Sequence, residues 1–269
     1  MSTVLVTGAT GHLGTLLPPS LIAAGHHVRT FSRTTTHTPA PIGVDTFTGD
    51  LTDGTGLPEA IKGIDVVVHC ASDPRHPESD VTSTHNLIRA LRDSGQDVHL
   101  VYISIVGVDV LPWSYYRAKY EAERAIETAE LSWTIQRATQ FHSFVDTMLG
   151  QLARSPLLAV PRGFSFQPVA TAEVADLLVE HVDHGPAGRA ADFGGPEILP
   201  AKDLARTWLK AHRSHRPVLA LPLPGKLSRA FRSGANVCTD GDRGHSSWQD
   251  YLAAIYPETA SVARTVTTP

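Results

Sequence analysis

Three side chains near the middle of the sequence have the types and spacing that acid–base chemistry on a carbonyl group requires. Tyr115 and Lys119 are four positions apart, so on a helix they share one face and lie one turn apart. A free phenol holds its proton too tightly for rapid exchange at neutral pH, and a lysine ammonium beside it favours the phenolate. Tyr115 could therefore exchange a proton with a carbonyl oxygen, and Ser104, at the end of a predicted strand, could hydrogen-bond the same oxygen.

The same stretch allows two other interpretations. Tyr115 to Lys119 also fits an ordinary amphipathic helix that continues through Glu121 and Glu123. Tyr116 directly follows Tyr115, so the phase of the helix decides which phenol faces a site, and the spacing to Lys119 favours Tyr115. The catalytic interpretation therefore depends on whether a cofactor site exists elsewhere in the chain.

A cofactor site is indicated at the start of the chain, where an apolar strand runs into three glycines spaced GxxGxxG. Gly8 permits the tight turn out of the strand, Gly11 lets the backbone approach a pyrophosphate, and Gly14 lets the following helix pack on the strand. The helix N-terminus would add free N–H groups and the positive end of its dipole. The pattern predicts a dinucleotide site, and a tight turn without a ligand is the alternative. The candidate contacts are Gly8, Thr10, Gly11, His12, Leu13 and Gly14.

The end of the second predicted strand bears on which dinucleotide binds. In many NAD-binding folds an acidic residue there binds the ribose hydroxyls, but this strand ends at Ser32 and Arg33. An arginine beside a hydroxyl matches the 2′-phosphate of NADP through charge-assisted hydrogen bonds, so NADP(H) is favoured over NAD(H). A solvent-facing Arg33 is the alternative. Asp50 and Leu51 follow the third strand and are placed to meet the adenine edge, although Asp50 could also be a plain loop residue.

Alternating strands and helices must position these residues over the first 160 positions. Nearly continuous Val and Ile, as in 64–68, suit parallel strands buried on both faces. Repeated strand–helix–strand units with right-handed crossovers predict an α/β fold, a Rossmann-like doubly wound parallel sheet. We expect Pro18 and Pro19 to kink or shorten the first helix. The predicted strands are Thr3–Thr7, His27–Phe31, Val44–Thr48, Asp65–His69, Val98–Ile103 and Ser132–Gln136, and the predicted helices are Leu13–Ala24, Leu57–Ile61, Ser79–Asp93 and Ser114–Ala129.

The pattern becomes more irregular after about Pro161. Helices are expected there at Ala172–His181, Lys202–Ala211 and Trp248–Ile255, separated by turns rich in Pro and Gly. We therefore expect a dinucleotide-binding core over residues 1–160 and a small, mainly helical C-terminal substrate lobe over residues 161–269. Because both segments would border the same cleft, the lobe is not expected to be an independent domain.

The overall composition argues against several classes of function. The chain has 269 residues and a net charge of −4, which gives no indication of a nucleic-acid or acidic-membrane partner. No apolar run approaches the roughly 20 residues of a membrane span. The histidines and carboxylates lack metal-ligand spacing, and the two cysteines belong to no CxxC motif. We expect a cytoplasmic monomer or homodimer that acts on a small molecule and holds no metal.

The sequence resembles the short-chain dehydrogenase/reductase superfamily, in the extended or atypical branch that includes NmrA-like and triphenylmethane-reductase-like proteins. The resemblance covers nearly the whole chain and implies a Rossmann-like fold, NAD(P)(H) and a Ser-Tyr-Lys site. The motifs that carry it are Thr7–Gly14, His69–Ser72, Ser104, Tyr115 with Lys119, and Arg137–His142.

The resemblance also implies further site residues and an activity. Cys70, Ala71 and Ser72 would line the cofactor, and Gln140 and Phe141 would lie beside the nicotinamide. The implied activity is an NADP(H)-dependent oxidoreductase that transfers hydride to or from a small carbonyl or enone. The alternatives are an NADP(H)-binding redox sensor without catalysis, and an epimerase or dehydratase that recycles its cofactor. The intact Ser-Tyr-Lys set favours an enzyme over a sensor, and the scattered arginines after Pro161 argue against a sugar-nucleotide substrate.

Overall fold

A computed structural model of the protein describes residues 1–34 and 43–257, and strands and helices alternate in it as the sequence predicts. The strands are β1 (Thr3–Thr7), β2 (His27–Ser32), β3 (Val44–Thr48), β4 (Val66–His69), β5 (His99–Ile105), β6 (Ser132–Ala138), β7 (Leu158–Pro161), β8 (Ser165–Phe166), β9 (Gly188–Arg189), β10 (Phe193–Gly194), β11 (Leu199–Pro200), β12 (Val218–Leu221) and β13 (Asp242–Arg243). The helices are α1 (Leu17–Ala23), α2 (Leu57–Ala60), α3 (Pro77–Ser94), α4 (Ser114–Glu127), α5 (His142–Leu152), α6 (Thr171–His184), α7 (Ala201–Ala211), α8 (Lys226–Arg232) and α9 (Trp248–Ile255).

Most strands join one parallel sheet in the order β3-β2-β1-β4-β5-β6-β10-β13, and β9 also pairs with β6. The chain moves outward from β1 to β3 and then returns to β4 on the other side of β1, so the direction of winding reverses between β1 and β4. In open α/β sheets a ligand crevice lies at the carboxyl ends of the strands at such a switch point. The doubly wound parallel sheet predicted from the sequence is confirmed.

The sheet is buried on both faces because its central strands carry apolar side chains on both sides. Val4 and Val6 of β1 point to the face covered by α1 and α6. Leu5 and Val67 point to the opposite face, which is covered by α2, α3 and α4. On that second face α3 and α4 pack directly against each other. The side chains of α3 are therefore neighbours of the helix that carries Tyr115.

The first helix is shorter than predicted. We expected it over Leu13–Ala24, but α1 begins at Leu17 after a series of turns. Pro18 and Pro19 have no N–H group to donate, so the carbonyl oxygens of Gly14 and Thr15 receive no helical hydrogen bond from them, and the regular helix begins only at Leu17. The glycine-rich turns border the switch point, and one of them is closed by a 3.0 Å hydrogen bond from the Thr15 N–H to the Gly11 carbonyl oxygen. The expected helix-dipole contribution stays a prediction.

The chain after Pro161 contributes both to the sheet and to a separate apolar core. Helix α6 packs on the sheet, and β9, β10 and β13 extend its edge. The separate core is formed by α5, α7, α8 and α9 together with the paired strands β7 and β12. The sequence analysis did not predict α5 or α8. The division at residue 160 stays a prediction, and residues 258–269 of the expected lobe lie outside the described residues.

No helix within residues 1–34 and 43–257 is long and apolar enough to cross a membrane. Within the same ranges, no group of three or more histidine, cysteine or carboxylate side chains could hold a metal ion.

Candidate active site

The ends of three neighbouring strands bring many predicted cofactor residues to one edge of the sheet. Thr7 at the end of β1 is aligned with Phe31 of β2 on one side and with His69 of β4 on the other. The residues that follow these positions therefore meet, and they enclose a crevice of about 350 Å³. The predicted residues that line it are Gly8, Thr10, Gly11, Ser32, Arg33, Asp50, Leu51, Cys70, Ala71 and Ser72.

The other predicted cofactor residues do not line this crevice. Leu13 is buried in the core between the sheet and α1, so its side chain serves packing. Gly14 is also buried and packs against the turn at Gly8. His12 is exposed in the loop. Gln140 and Phe141 follow β6, two strands away from β4 in the sheet.

The three glycines of the loop are needed for different reasons. Gly8 has a φ of +70°, and a Cβ added to it would lie 2.5 Å from the Ala71 nitrogen. A Cβ on Gly14 would lie 2.1 Å from the carbonyl oxygen of Gly8. A Cβ on Gly11 would lie 3.4 Å from that same oxygen and would meet nothing else within 4 Å. The fold itself therefore requires Gly8 and Gly14, whereas the space beside Gly11 is open to a ligand.

The distal end of the crevice lies where β2 and β3 end. Arg33 is exposed and forms no hydrogen bond or ion pair with another described residue, so its guanidinium is available to an anion. Asp50 Oδ1 accepts hydrogen bonds of 2.8 Å from the backbone N–H and from the hydroxyl of Thr52. Asn86 on α3 donates to the carbonyl oxygens of Leu51 and Thr52 at 2.9 and 2.8 Å. The wall formed by Asp50 and Leu51 is thus fixed to α3.

The Tyr115 phenol reaches the crevice through Ser72. Tyr115 Oη lies 2.8 Å from Ser72 Oγ, and Ser72 Oγ donates to Asp80 Oδ2 at 2.5 Å. A serine hydroxyl has a single hydrogen. Because Asp80 accepts that hydrogen, Ser72 accepts the hydrogen of the Tyr115 phenol. Tyr115 is therefore a protonated phenol pointing toward a residue that lines the crevice.

Tyr116 points away from the crevice. Its ring is 5% exposed, stacks on Trp113 with ring centres 5.6 Å apart, and belongs to the core of the C-terminal elements. Burial raises the pKa of its phenol above the usual value. Of the two adjacent tyrosines, Tyr115 is the one bonded to a residue that lines the crevice, and its catalytic role stays a prediction.

Lys119 lies one helical turn behind Tyr115 and is fully enclosed. Its ammonium is 3.9 Å from Asp80 Oδ2, with both side chains 3% exposed, and it donates to the carbonyl oxygen of Ile103 at 3.4 Å. It also lies 4.8 Å from the centre of the Tyr102 ring. Burial alone would lower the pKa of Lys119, but the neighbouring Tyr102, Tyr115 and Asp80 raise it. Lys119 is a permanent positive charge beneath the site.

Ser104 is the third member of the predicted set. It follows Ile103 near the end of β5, so it lies beside the carbonyl that accepts from Lys119. Its side chain is buried, and its Oγ has no hydrogen-bond partner among residues 1–34 and 43–257. A buried hydroxyl without a partner is costly. This cost is removed if a ligand oxygen accepts the Ser104 hydrogen.

Two other titratable groups at the end of β4 are held neutral. His69 is bonded to the hydroxyls of Thr7 and Thr84 at 2.7 and 3.2 Å. Burial, assisted by the charge of Lys119, lowers the pKa of His69 to about 3. Burial raises the pKa of the Cys70 thiol to about 12. Near neutral pH His69 is therefore an uncharged imidazole and Cys70 an unreactive thiol.

The side chain of Gln140 is bonded at both ends of its amide, and its expected place beside the nicotinamide stays a prediction. Its amide Nε2 donates to the carbonyl oxygen of Asn236 at 2.8 Å, and its Oε1 accepts from the backbone N–H of Gln167 at 3.1 Å. Both ends of the amide are used to join β6 to the C-terminal elements. Phe141 pairs with Val169 in an isolated bridge and continues the same connection.

The sequence analysis missed Asp80. In α3 it shares the buried face with Thr84, Leu87 and Leu91, at positions i, i+4, i+7 and i+11. An aspartate on the helical face that continues into Leu87 and Leu91 is the signal that could have identified it, because a buried carboxylate needs partners. Further residues that line the crevice and were not predicted are Phe31, Gly49, Thr52, Asp73, His76, Ser79 and Ser83.

Comparison with known families gives one match over most of the chain. A family described as NAD(P)H-binding matches residues 8–185. This range begins at the first glycine of the loop and ends after α6, so it includes the crevice, Ser104, Tyr115 and Lys119.

The individual relatives described here align over 70% or more of this chain and are 27–29% identical to it. Proteins of Mycobacterium bovis and Mycobacterium tuberculosis are 29% identical over 200 residues, which is 70% of this chain, but the chain spans only 21% of their length. Sterol demethylase protein B of Methylococcus capsulatus is 27% identical over 262 residues, covering 82% of this chain and 77% of that protein.

Solved structures share the fold. An NADPH-dependent quinone oxidoreductase from Escherichia coli, in complex with NADPH, superimposes with a TM-score of 0.78 at 16% identity, covering 94% of this chain and 99% of that one. A nucleoside-diphosphate-sugar epimerase from Staphylococcus aureus gives 0.77 at 19% identity, covering 93% and 99%.

Proposed function

The chain belongs to the NAD(P)H-binding family that matches residues 8–185, and on this premise we propose that it is an NADP(H)-dependent oxidoreductase of the short-chain dehydrogenase/reductase type. Its substrate would be a small carbonyl or enone compound, reduced or oxidised by hydride transfer. The observation that carries the proposal is the Tyr115 phenol, 2.8 Å from Ser72 in the wall of the crevice, with the buried Lys119 ammonium one turn behind it.

The residues of the crevice fit a dinucleotide. The open space beside Gly11 suits a pyrophosphate, since a Cβ there would take room that the protein leaves free. Ala71 and Ser72 continue the wall toward Tyr115. The exposed Arg33 guanidinium at the other end of the crevice suits a 2′-phosphate, because arginine binds phosphate through paired charge-assisted hydrogen bonds. This position supports NADP(H) over NAD(H).

The three predicted catalytic side chains would divide the proton chemistry. When bound, the cofactor supplies or accepts a hydride at its nicotinamide. Tyr115 donates its phenolic proton to the substrate oxygen in reduction and takes it back in oxidation. Ser104 gives its unused hydrogen bond to the same oxygen. The Lys119 ammonium stabilises the phenolate that remains after proton donation.

The structural similarity to an NADPH-dependent quinone oxidoreductase from Escherichia coli supports the choice of substrates to test. We would follow the consumption of NADPH with a set of ketones, enones and quinones. Tyr115→Phe should keep its affinity for NADPH and lose turnover by about 100-fold or more, since general acid catalysis is worth that much.

Tyr120→Phe is the matched control. Tyr120 is on the same helix and is exposed, so loss of its hydroxyl should leave turnover unchanged. Equal turnover of Tyr115→Phe and the unsubstituted protein would disprove the catalytic assignment. NADPH binding without turnover of any carbonyl, enone or quinone would favour the sensor alternative.

A further inference from the structure

The buried carboxylate of Asp80 connects Lys119 with Ser72, which is the hydrogen-bond partner of Tyr115. Its Oδ2 accepts a 2.5 Å hydrogen bond from Ser72 Oγ, and the same oxygen lies 3.9 Å from Lys119 Nζ. Its Oδ1 accepts from the backbone N–H of Asp73 at 2.7 Å. The side chain is 3% exposed, so these partners replace water as the environment of the carboxylate.

The direction of the hydrogen bonds fixes the state of Tyr115. Ser72 donates its single hydrogen to Asp80, so it accepts the hydrogen of the Tyr115 phenol. A phenolate at Tyr115 could not donate to Ser72, and Ser72 would have to turn its hydrogen away from Asp80 to bond it. The connected hydroxyls therefore favour the protonated phenol.

The other titratable groups around Tyr115 do not offset this preference. Burial raises the pKa of Tyr102 to about 12 and that of Cys70 to about 12, and it lowers that of His69 to about 3. The pKa of Asp73 is lowered by its hydrogen bond with His76, and its half-exposed charge is partly screened. The enclosed ion pair nearest the site is that of Lys119 with Asp80, 3.9 Å apart. The groups that interact directly with Tyr115 are Ser72 through its hydroxyl, and Lys119, Tyr102 and Tyr116 through their charges or dipoles.

Resting on the proposed function, we propose that Asp80 is a positioning residue that balances the charge of Lys119 and, through Ser72, keeps Tyr115 in its proton-donating form, so that the free site is prepared for reduction. Lys119 without a balancing carboxylate would favour the phenolate, which is the form required for oxidation. The Asp80 carboxylate favours the protonated phenol of Tyr115, whereas the Lys119 ammonium favours the phenolate. The hydroxyl of Ser72 connects the carboxylate to the phenol.

The central test is Asp80→Asn, which keeps the size of the side chain and removes its charge. The pH at which reductive turnover begins to fall should be about one unit lower in this variant than in the unsubstituted protein. The reason is that the charge of Lys119 is then uncompensated, and a neighbouring charge shifts the titration of a group such as Tyr115 by that amount or more. Glu78→Gln is the matched control, since it removes the same charge from an exposed position on the same helix and should leave the profile unchanged.

A second measurement does not depend on turnover. Phenolate absorbance of the cofactor-free protein is titrated, and the Tyr115→Phe curve is subtracted to isolate Tyr115. In Asp80→Asn the Tyr115 phenolate should form at lower pH, and in Glu78→Gln it should not shift. An unchanged titration in folded Asp80→Asn would overturn the proposal about Asp80. Absence of NADPH-dependent turnover in the unsubstituted protein would instead overturn the proposed function.

A variant at Ser72 tests the same connection without removing a buried charge. Ser72→Ala keeps the pair between Asp80 and Lys119 and breaks only its link to the phenol. We expect kcat to fall about tenfold, the worth of one hydrogen bond, with little change in KM for NADPH. Ser72→Thr retains a hydroxyl at this exposed position and should restore kcat. Equal kcat for Ser72→Ala and Ser72→Thr would contradict the proposal.

Discussion

The Glu123 carboxylate and the Arg137 guanidinium form a buried two-point ion pair, with Oε1 2.8 Å from Nε and Oε2 2.6 Å from Nη2. Glu123 lies on α4 one turn after Lys119, and Arg137 lies on β6. The pair therefore fixes the helix that carries Tyr115 to the sheet. Asp109, in the loop before α4, is 3.2 Å from Nη1 of Arg137. This contact connects the loop to the same arginine, and the three side chains together are called the anchor of α4 below.

The first prediction concerns this anchor. Glu123→Gln should lower the free energy of unfolding by about 3 kcal/mol, because it removes the buried two-point partner and leaves Arg137 with only the partly exposed Asp109 as a counter-ion. Glu127→Gln on the same helix breaks the surface pair between the partly exposed Glu127 and the exposed Arg124 and should cost less than about 1 kcal/mol. Urea unfolding of both variants gives the two values. Equal destabilisation would show that the buried pair does not anchor α4.

The second prediction is that alanine substitutions at Gly11 and Gly14 have different effects on stability and on NADPH binding. Gly11→Ala should keep the melting temperature close to that of the unsubstituted protein, since its Cβ meets one atom at 3.4 Å, and should weaken NADPH binding. Gly14→Ala should lower the melting temperature strongly, because its Cβ would lie 2.1 Å from a backbone oxygen. Thermal unfolding and nicotinamide fluorescence measure the two effects. Undiminished NADPH affinity in Gly11→Ala would mean that no ligand lies against Gly11.

The sequence predicted the fold well because its signals were local. Hydrophobic runs located β1 to β6, and the resemblance to the short-chain dehydrogenase/reductase superfamily is confirmed at the level of the superfamily. The start of α1 was misplaced although Pro18 and Pro19 were recognised, since the loss of two donors removes a whole turn and not a single bond.

The candidate site could be predicted only where one stretch of chain carries the information. The glycine loop and the spacing from Tyr115 to Lys119 are such stretches. Asp80 depends on the packing of α3 against α4, and the use of the Gln140 amide depends on Asn236, 96 positions later. Contacts of this kind have no local pattern in a single sequence.

The third prediction concerns the choice of cofactor. Arg33→Ala should weaken NADPH binding about tenfold or more, the worth of a hydrogen bond between charged groups, and should leave NADH binding nearly unchanged. Arg206→Ala removes an equal charge from the exposed side of α7 and should affect neither cofactor. Titration of nicotinamide fluorescence measures all four affinities. Equal binding of NADPH and NADH by the unsubstituted protein would remove the argument for a 2′-phosphate site.

The fourth prediction is a loss of stability in mild acid that originates in buried histidines. Burial, with the charge of Lys119, lowers the pKa of His69 to about 3, and burial lowers the pKa of His99 and of His142 to about 4. Above pH 6.5 these imidazoles are neutral in both the folded and the unfolded chain. Below that pH the unfolded chain takes up protons that the folded chain excludes, so the free energy of unfolding should decrease as the pH falls from about 6.5 toward 4.

His69→Gln tests the contribution of one such group. Glutamine cannot titrate, so the variant, although less stable at pH 7 because it loses a hydrogen bond to Thr7 or Thr84, should lose less further stability between pH 7 and pH 5. His215→Gln replaces an exposed histidine and should leave the pH dependence unchanged. Urea unfolding at both pH values measures the slope. If His69→Gln and the unsubstituted protein lost equal stability over this interval, His69 would have to take up a proton in the folded state, and the uncharged imidazole assigned to the end of β4 would be wrong.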